Sequence, residues 1–291
     1  MGNRVDGIIV KSLSGFYYIQ SGEKQIVAKA RGLFRKNAVV PLVGDYVYCK
    51  QENDSFTITE ILPRKNSFVR PPLANLDQIF FVLSSFEPSI NTFILDQLIV
   101  VAQSKEIEPI LVFTKLDLCS ADTEIKLYKD AGFSVFPVYY DHWNGDDFLQ
   151  QMKGRVSAFC GNSGVGKTTL LNHLDPTLSL KTGETSAKLG RGRHTTREVE
   201  LFSLHGGFIA DTPGFSTVQF EKYCNFSPEE LVDYFREFQP YLGKCRFRDC
   251  THLREPGCAI LQALNNGEIA VSRHQSYQNI FEKLREMQNQ F

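Results

Sequence analysis

Residues 161–168 read GNSGVGKT and directly follow a short apolar run, Val156–Cys160. A loop of the form G-x-x-x-x-G-K-[ST] between a strand and a helix is typical of phosphate binding. Its glycines let backbone amides turn toward phosphate oxygens, and the helix N-terminus adds partial positive charge. Lys167 is expected to reach the β and γ phosphates, and Thr168 to bind magnesium. The predicted nucleotide contacts from this stretch are Cys160, Gly161, Asn162, Ser163, Gly164, Val165, Gly166, Lys167, Thr168 and Thr169.

Two companion motifs flank this loop in an unusual order. TKLD (114–117) comes before the loop, and DTPG (211–214) comes after it. A Ras-like GTPase begins with the phosphate loop and ends with the base-reading motif, so this order predicts a circularly permuted P-loop GTPase domain. In this permuted order the GTPase domain ends just after DTPG, the motif that senses the γ-phosphate. The residues beyond 220 therefore follow the nucleotide switch directly. We therefore predict that hydrolysis moves the C-terminal segment.

Each companion motif has a chemical role in the predicted site. Asp211 supplies an acidic contact to magnesium, and the amide of Gly214 senses the γ-phosphate. Asp117 can accept two hydrogen bonds from guanine N1 and N2, which adenine cannot donate. Thr114 and Lys115 complete the base-reading motif. Asparagine usually occupies the position of Thr114, so we expect weaker, not switched, guanine specificity.

The catalytic group has to come from outside DTPG. Phe215 stands where Ras-type enzymes place the glutamine that orients the attacking water, and a phenyl ring cannot do this. Residues 190–197, GRGRHTTR, lie where the first switch belongs. We expect His194 to position or deprotonate water, Thr195 or Thr196 to close on magnesium, and the neighbouring arginines to stabilise charge or meet RNA. The predicted catalytic set is His194, Lys167 and Thr196, in a slow enzyme whose switch segment is disordered until a partner orders it.

A second site is indicated near the C-terminus by the pattern Cys245-x4-Cys250-x-His252-x5-Cys258. Three thiolates and one imidazole form a closed tetrahedral ligand set, which suits structural zinc better than magnesium or calcium. The chain has seven cysteines, an odd number, and the other four are scattered. This usage favours free thiols in a reducing compartment over a disulfide framework, so we expect a cytoplasmic protein.

The first 66 residues predict a small β-barrel. Short β-rich stretches at 7–10, 16–20, 25–30, 45–50 and 56–61 alternate with turn residues. Five such strands favour an OB-fold, and the strand count also allows an SH3-like barrel. The rings of this segment either stack on unpaired bases or fill the core, and we expect most of them in the core. They are Phe16, Tyr17, Tyr18, Tyr46 and Tyr48.

Charge is concentrated in the same segment. The net charge of the chain is −1, yet residues 1–65 hold ten Lys/Arg against six Asp/Glu. The loop 29–36, with Arg31, Arg35 and Lys36, is a candidate for phosphate contact, and a solvated basic loop is the alternative. The local excess of positive charge makes the barrel a candidate RNA-binding domain.

From 67 to 222 the pattern changes to apolar strands separated by helices. Runs at 78–84, 110–113, 133–138, 156–160 and 207–210 predict a mostly parallel sheet, whose ligands bind at the carboxyl ends of strands. Ile94, Leu98 and Val101 are spaced to share one face of a helix over 91–105. From 223 to 291 the chain reads as helices around the zinc cluster, beginning at a capping box on Ser227. We thus predict three domains, at 1–66, 67–222 and 223–291, in a multidomain α/β protein.

Several classes of protein are excluded by the composition. No apolar run approaches the 18 to 20 residues that cross a bilayer, and the first ten residues lack the pattern of a signal peptide. No coiled-coil repeat calls for a dimer, so we expect a monomer.

Taken together, these motifs resemble the family of ribosome small-subunit-dependent GTPases A (RsgA, also called YjeQ) over essentially the whole length. The matching stretches are RGLFRK (31–36), PLVGD (41–45), RPPLANLDQ (70–78), TKLDL, GNSGVGKTTLLN, GRGRHTTRE, DTPGF and the Cys-Cys-His-Cys cluster. The resemblance implies an OB-fold, a circularly permuted GTPase domain and a zinc-containing helical domain that clasp the small ribosomal subunit and its rRNA late in maturation. It also implies that the subunit stimulates hydrolysis, that hydrolysis triggers release, and that His194 is similar to the family's proposed catalytic histidine.

The chain departs from the family pattern at two places. Thr114 replaces the usual asparagine, and residues 138–141, VYYD, stand where a serine-alanine motif would contact guanine. Two other functions remain open from the residues alone. One is a P-loop enzyme that uses another substrate, such as an ATPase or small-molecule kinase. The other is a zinc-dependent RNA-binding module in which nucleotide only gates binding.

Overall fold

The computed structural model describes residues 4–32, 34, 39–52, 55–68, 71–176, 199–211 and 220–289. The chain divides into two compact units, each built from two stretches of sequence. The first unit is Met1–Val82 with Tyr140–Thr217, and the second is Leu83–Tyr139 with Val218–Phe291. None of the helices in the described ranges combines the length and apolar character needed to cross a bilayer.

The strands are β1 Arg4–Leu13, β2 Phe16–Ser21, β3 Lys24–Ala30, β4 Tyr46–Glu52, β5 Ser55–Ile61, β6 Ser67–Phe68, β7 Leu73–Ala74, β8 Gln78–Ser84, β9 Glu108–Thr114, β10 Ser134–Pro137, β11 Val156–Cys160, β12 Glu200–Leu204 and β13 Gly207–Asp211. The α-helices are α1 Thr92–Gln103, α2 Asp122–Asp130, α3 Asp146–Met152, α4 Lys167–Leu174, α5 Phe220–Tyr223, α6 Ala259–Asn265 and α7 Val271–Gln288. Two 3-10 helices span Pro228–Tyr234 and Arg236–Tyr241.

The first five strands close into a barrel within the first unit. Strand β1 pairs with both β2 and β4, and β2 pairs with β3, all antiparallel. The circle is completed by β5, which pairs in parallel with β3 and antiparallel with β4. Ile9, Ile19, Val47 and Ile58 point inward and are fully buried. This closed five-stranded arrangement confirms the OB-like expectation.

The expectation that most barrel aromatics lie in the core is wrong. Tyr17 is buried, whereas Phe16 and Tyr46 are 40% and 43% exposed, and Tyr18 and Tyr48 are half-buried. The strand pleat explains this result, because successive side chains point to opposite faces. The inward positions on β2 and β4 are taken by Tyr17, Ile19, Val47 and Cys49, so the other four rings line the outer surface of the barrel.

Buried parallel strands form the remainder of the sheet in the first unit. Strand β11 lies between β8 and β13 and is parallel to both, as predicted from the apolar runs. Strand β12 is antiparallel to β13 and also pairs with β1 of the barrel, where Lys11 lies opposite Glu200. The Lys11 ammonium and Glu200 carboxylate are 2.7 Å apart. The barrel is therefore joined to the strand that follows the predicted first switch.

The second unit begins with the end of β8 and contains the parallel pair β9 and β10. Helix α1 is capped by Asn91, whose side chain accepts a hydrogen bond from the amide of Ile94. The three residues predicted to share a face of this helix differ in burial, since Ile94 is 50% exposed and Val101 is buried. The buried stripe includes Leu95 and Ile99, which lie one position further round the helix.

Helical segments complete the second unit. The predicted capping box is confirmed, because the hydroxyl of Ser227 accepts from the amide of Glu230 and the Glu230 carboxylate accepts from the amide of Ser227. The segment that follows is a 3-10 helix. Leu231, Phe235 and Phe238 are fully buried, and so are Tyr277, Ile280, Phe281 and Leu284 of α7, whereas Tyr234 and Met287 are half-buried.

A buried ion cluster anchors α7. The guanidinium of Arg273, whose side chain is 1% exposed, donates to Asp96 on α1 and to Glu237 at 2.6 Å. Burial alone would lower the pKa of Arg273, but the neighbouring carboxylates of Asp96 and Glu237 raise it above its usual value. One arginine therefore neutralises carboxylates from two other segments of the second unit.

Replacing this arginine with an apolar residue of similar length is expected to destabilise the second unit strongly. Arg273→Met leaves Asp96 and Glu237 buried without a cation, and we expect the free energy of unfolding to fall by about 3–5 kcal/mol. Denaturant unfolding followed by circular dichroism measures the change. Arg285→Met is the matched control, because Arg285 is exposed on the same helix. Equal effects of the two substitutions would contradict the assignment.

Candidate nucleotide and metal sites

The predicted phosphate loop has the expected strand, loop and helix order in the first unit. It leaves the end of β11 and enters α4, with Gly164 and Gly166 at φ values of 83° and 94°. Residues that carry a side chain rarely adopt this left-handed backbone conformation, so both positions favour glycine. At Gly161 a Cβ atom would lie 2.5 Å from the carbonyl oxygen of Val82. The glycines are therefore required for the loop to curl this tightly against β8.

The side chain of Lys167 is held over the loop by two carbonyl groups of the loop backbone. Its Nζ donates to the carbonyl oxygens of Gly161 at 2.6 Å and Asn162 at 2.7 Å. Burial lowers the pKa of this lysine, partly offset by Cys160. Thr168 is buried beside it at the start of α4, and burial raises the pKa of the Cys160 thiol to about 12, so the thiol is neutral. Val165 is buried, whereas Asn162, Ser163, Gly164 and Thr169 are exposed and accessible to a ligand.

The TKLD motif lies in the second unit, where β9 ends and turns. Thr114 is fully buried and donates from Oγ1 to the carbonyl oxygen of Leu83 at 3.1 Å. Lys115 has a left-handed φ of 58°, and its ammonium bonds to the carbonyl of Glu87. Asp117 is exposed on the turn that follows. A carboxylate in this position is free to accept hydrogen bonds from a ligand.

The remaining predicted nucleotide contacts are only partly within the described residues. Asp211 ends β13, where its backbone pairs with Glu200. Its side chain, Gly214, His194, Thr195 and Thr196 lie outside what the structure describes, as do Phe215 and the arginines of 190–197. The roles assigned to these residues stay predictions.

One contact near the phosphate loop was missed by the sequence analysis. His173, in the last turn of α4, bonds through Nε2 to the carbonyl of Trp143 at 2.7 Å and stacks on its ring at 5.5 Å. Trp143 follows the segment 138–141, where the family pattern would place a guanine contact. The only tryptophan of the sequence is thus fixed to the phosphate-loop helix. No spacing in the sequence links these two residues.

The four residues predicted to bind zinc converge in the second unit. The donor atoms of Cys245, Cys250, His252 and Cys258 all lie within 4.8 Å of one another. Cys245 Sγ is 3.9 Å from Cys258 Sγ, and His252 Nδ1 is 3.5 Å and 3.4 Å from these two sulfurs. A tetrahedral zinc ion would separate two sulfurs by about 3.8 Å and a sulfur from a nitrogen by about 3.6 Å. The donor set therefore fits zinc in both chemistry and spacing.

Backbone and side-chain groups around the cluster hold the ligands in place. The amide of Ala259 donates to Cys245 Sγ at 3.4 Å, and that of Leu261 donates to Cys258 Sγ at 3.5 Å. His274 Nε2 lies 2.9 Å from the carbonyl oxygen of His252. Amide donors to sulfur stabilise thiolates, and such outer contacts orient metal ligands.

Glu255 supports the loop between the second and fourth ligands. Its carboxylate accepts from the amides of Thr251, Leu253 and Arg254, each at 3.0 Å. Burial alone would raise the pKa of this carboxyl, but hydrogen bonds from Thr251 and the loop backbone lower it to about 2. The sequence pattern of the cluster did not single out this residue, because its role depends on backbone amides.

The surface of the metal loop is basic. Among the described residues, Lys244, Arg246, Arg248 and Arg254 make no ion pair, in contrast to Arg236 and Arg273 of the same unit. Phe247 is 42% exposed, and the Arg246 guanidinium lies 5.5 Å from the centre of its ring. Exposed rings beside unpaired arginines are typical of surfaces that bind single-stranded nucleic acid.

Comparison with protein families gives two adjoining matches. Residues 6–58 match the family model described as the RsgA N-terminal domain, and residues 61–221 match that described as RsgA GTPase. Among curated proteins, "Small ribosomal subunit biogenesis GTPase RsgA 2" of Oceanobacillus iheyensis is 45% identical over 288 residues. That alignment covers 96% of this chain and 97% of the relative. A Bacillus subtilis protein named as the same kind of GTPase is 41% identical over 285 residues, 94% of this chain and 95% of the relative.

Solved structures give the same result over the whole chain. The crystal structure of YloQ, described as a circularly permuted GTPase, superposes with a TM-score of 0.82 at 35% identity. The superposition covers 98% of this chain and 96% of the YloQ chain. YjeQ from Thermotoga maritima gives a TM-score of 0.81 at 32% identity, with 97% and 99% covered. The predicted circular permutation is thereby confirmed.

The role of Glu255 leads to a prediction about the metal loop. Glu255→Gln retains the shape but loses acceptor capacity for the loop amides, so we expect zinc to be released to a chelator about tenfold faster at pH 7. We also expect the free energy of unfolding to fall by about 1–2 kcal/mol. Because the folded pKa of about 2 lies below the ordinary value of 4.5, this stabilisation is complete above pH 4.5 and is lost as the pH falls toward 2. Glu286→Gln, an exposed change on α7, is the control, and equal release rates would contradict the assignment.

Proposed function

The chain belongs to the RsgA family of circularly permuted GTPases, and from this premise we propose that it hydrolyses GTP on the small ribosomal subunit late in the maturation of that subunit. The observation that carries the proposal is the combination of a formed phosphate loop with an exposed base-reading carboxylate in a chain similar to its relatives from end to end. Neither an ATPase nor a small-molecule kinase requires Asp117 at the end of TKLD.

The roles proposed for the nucleotide-contacting residues follow from their chemistry. Asp117 reads guanine, and Lys167 with the loop amides holds the β and γ phosphates. Thr168 and Asp211 would hold Mg²⁺, which neutralises phosphate charge when bound. His194 positions the attacking water. Thr114, Lys115, Thr196 and Gly214 complete the proposed contacts.

The zinc cluster is proposed to be structural. Its four protein donors fill a tetrahedron, which leaves no position for substrate or water. Zinc therefore fixes the loop 245–258 and the arginines that this loop presents. Removing zinc should loosen the loop first, because the phosphate loop lies in the other compact unit.

Two surfaces are proposed to contact rRNA. On the barrel, Phe16 and Tyr46 are exposed, and the ammonium of Lys29, at the start of the basic loop, lies 5.0 Å from the ring centre of Phe16. On the metal loop, Phe247 is exposed among unpaired arginines. Rings supply stacking platforms for unpaired bases, and arginines supply phosphate contacts. The net charge of the chain does not reveal either surface.

The C-terminal segment is proposed to respond to hydrolysis through α5, which begins a few residues after DTPG. Phe220 of α5 is 4% exposed, and Glu221 forms an ion pair with Lys283 of α7 at 2.5 Å. The three domains at 1–66, 67–222 and 223–291, a cytoplasmic location and a monomeric state complete the proposal.

The first test is the turnover of GTP with and without purified small ribosomal subunits. We expect slow hydrolysis by the protein alone and at least about tenfold acceleration by subunits, because an ordered switch worth roughly 1.4 kcal/mol has this effect on a rate. ATP should be used poorly under both conditions. An absence of stimulation would contradict the proposed partner, and equal use of ATP and GTP would contradict the proposed substrate.

The second test concerns the proposed catalytic histidine. In His194→Ala, subunit-stimulated turnover should fall by about 100-fold or more, in the range for a positioned acid-base group, while GTP affinity stays near that of the unmodified protein. The exposed His205, replaced by asparagine to suit its left-handed φ of 44°, is the control. A loss of GTP binding in the first variant would reassign His194 to folding of the site.

A further inference from the structure

The turn that carries Asp117 is tied to the loop after β8 by a residue that no motif includes. The hydroxyl of Ser85 donates to the carbonyl oxygen of Lys115 at 2.7 Å. The amide of Ser85 donates to the carbonyl oxygen of Thr114 at 3.1 Å. Ser85 thus contacts both of the peptide groups that precede the base-reading turn. From this geometry we propose that Ser85 is a positioning residue for guanine recognition, acting through Asp117.

The turn itself explains why an external support matters. The carbonyl of Lys115 also accepts from the amides of Leu118 and Cys119, at 2.9 Å and 3.3 Å. These two bonds close the turn around Asp117 but do not connect it to any other segment. The connection to the end of β8 and the loop after it is made by Ser85, by the bond of the Thr114 hydroxyl to the Leu83 carbonyl and by the bond of the Lys115 ammonium to the Glu87 carbonyl.

The backbone at this point requires such support. Lys115 has a φ of 58°, a conformation that costs a non-glycine residue roughly 1–2 kcal/mol relative to its ordinary state. A residue persists there only when its surroundings hold it. The bonds to Ser85 lie on either side of this strained residue, so removing the hydroxyl gives the turn freedom to relax and moves the carboxylate that follows it.

The loop that presents Ser85 is itself well ordered by hydrogen bonds. The hydroxyl of Ser84, which is 1% exposed, donates to the carbonyl of Glu87 at 3.0 Å and accepts from the amide of Phe86 at 3.3 Å. Ser84 therefore closes a short turn that projects Ser85 toward TKLD. The two adjacent serines have different roles, since one shapes the loop and the other contacts the motif.

The bond from Ser85 to Lys115 is especially important in this chain because position 114 is threonine. An asparagine side chain, which usually occupies this position, carries both an acceptor and two donors. The Thr114 hydroxyl has one proton, and it donates this proton to the carbonyl of Leu83. The Thr114 hydroxyl is thus bonded to β8, whereas the Ser85 hydroxyl is bonded to the turn itself, at the carbonyl of Lys115.

This inference rests on the proposed role of Asp117 as the group that reads guanine N1 and N2. Misplacing the carboxylate by a fraction of an ångström weakens both hydrogen bonds and leaves the phosphate contacts unchanged. The expected signature is a raised KM for GTP at an unchanged kcat. Inosine triphosphate lacks the N2 donor and gains less from Asp117, so its KM should rise less than that of GTP.

The test compares Ser85→Ala with the unmodified full-length protein, using GTP and inosine triphosphate as substrates. We expect the KM for GTP to rise about three- to tenfold, which is the effect of losing one hydrogen bond. The KM for inosine triphosphate divided by the KM for GTP should therefore fall. Ser85→Thr retains the hydroxyl and should restore the KM for GTP. Ser104→Ala is the matched control, because Ser104 also donates to a backbone carbonyl, that of Val101 at 3.0 Å, but lies at the other end of α1.

The outcomes separate this inference from the proposed function. If Ser85→Ala leaves both KM values unchanged, or raises them equally, Ser85 does not position the base-reading turn. If Ser85→Thr behaves like Ser85→Ala, the hydroxyl is not the acting group. If the unmodified protein does not prefer GTP to inosine triphosphate, the role of Asp117 fails, and the inference fails with it.

Discussion

A phosphate can be held by backbone amides only where a strand delivers its carboxyl end to the start of a helix, with room for the chain to curl between them. Strand β11 meets this condition because it is fully buried between two parallel neighbours, so its end is fixed. Gly161 must then pass the carbonyl of Val82 at a distance that excludes any side chain. This constraint is local to the sheet, and it does not depend on where the chain begins. A permuted sequence can therefore build the same loop.

The elements with simple periodicity were predictable, and the errors occurred where one polar side chain or one strand register decided burial. Strand β8 and the five barrel strands lie where the apolar runs placed them. The buried stripe of α1 was not predictable, because it contains Asp96, whose charge is neutralised by Arg273, 177 residues away in the sequence. No local pattern contains that partner. The barrel aromatics were misassigned for a related reason, since an inward Tyr17 requires Phe16 and Tyr18 to point outward.

The candidate sites show the same division between chemistry and geometry. The types of ligand at 245–258 were readable from the sequence, because thiolates and imidazole at short spacing have few other uses. Glu255 and Ser85 were not readable, because each acts on backbone groups whose directions are known only once the loops are formed. Residues that support a site by binding its peptide groups have no characteristic spacing. They are therefore the part of a site that a sequence reveals least.

Under the proposal that hydrolysis moves the C-terminal segment, the magnitudes of two contacts of α5 decide which of them carries the movement. The ion pair of Glu221 with Lys283 is 49% and 33% exposed, respectively, and pairs of this kind contribute about 0–1 kcal/mol. Burial of Phe220, which is 4% exposed under the Lys283 ammonium, contributes about 1.5–3 kcal/mol. If hydrolysis displaces α5, the displacement must either expose the Phe220 ring to solvent or move the residues that pack around it. The burial of this ring therefore contributes more to the coupling than the ion pair does. The ring resists extraction, so displacement of α5 moves the helices that pack against it instead of detaching from them.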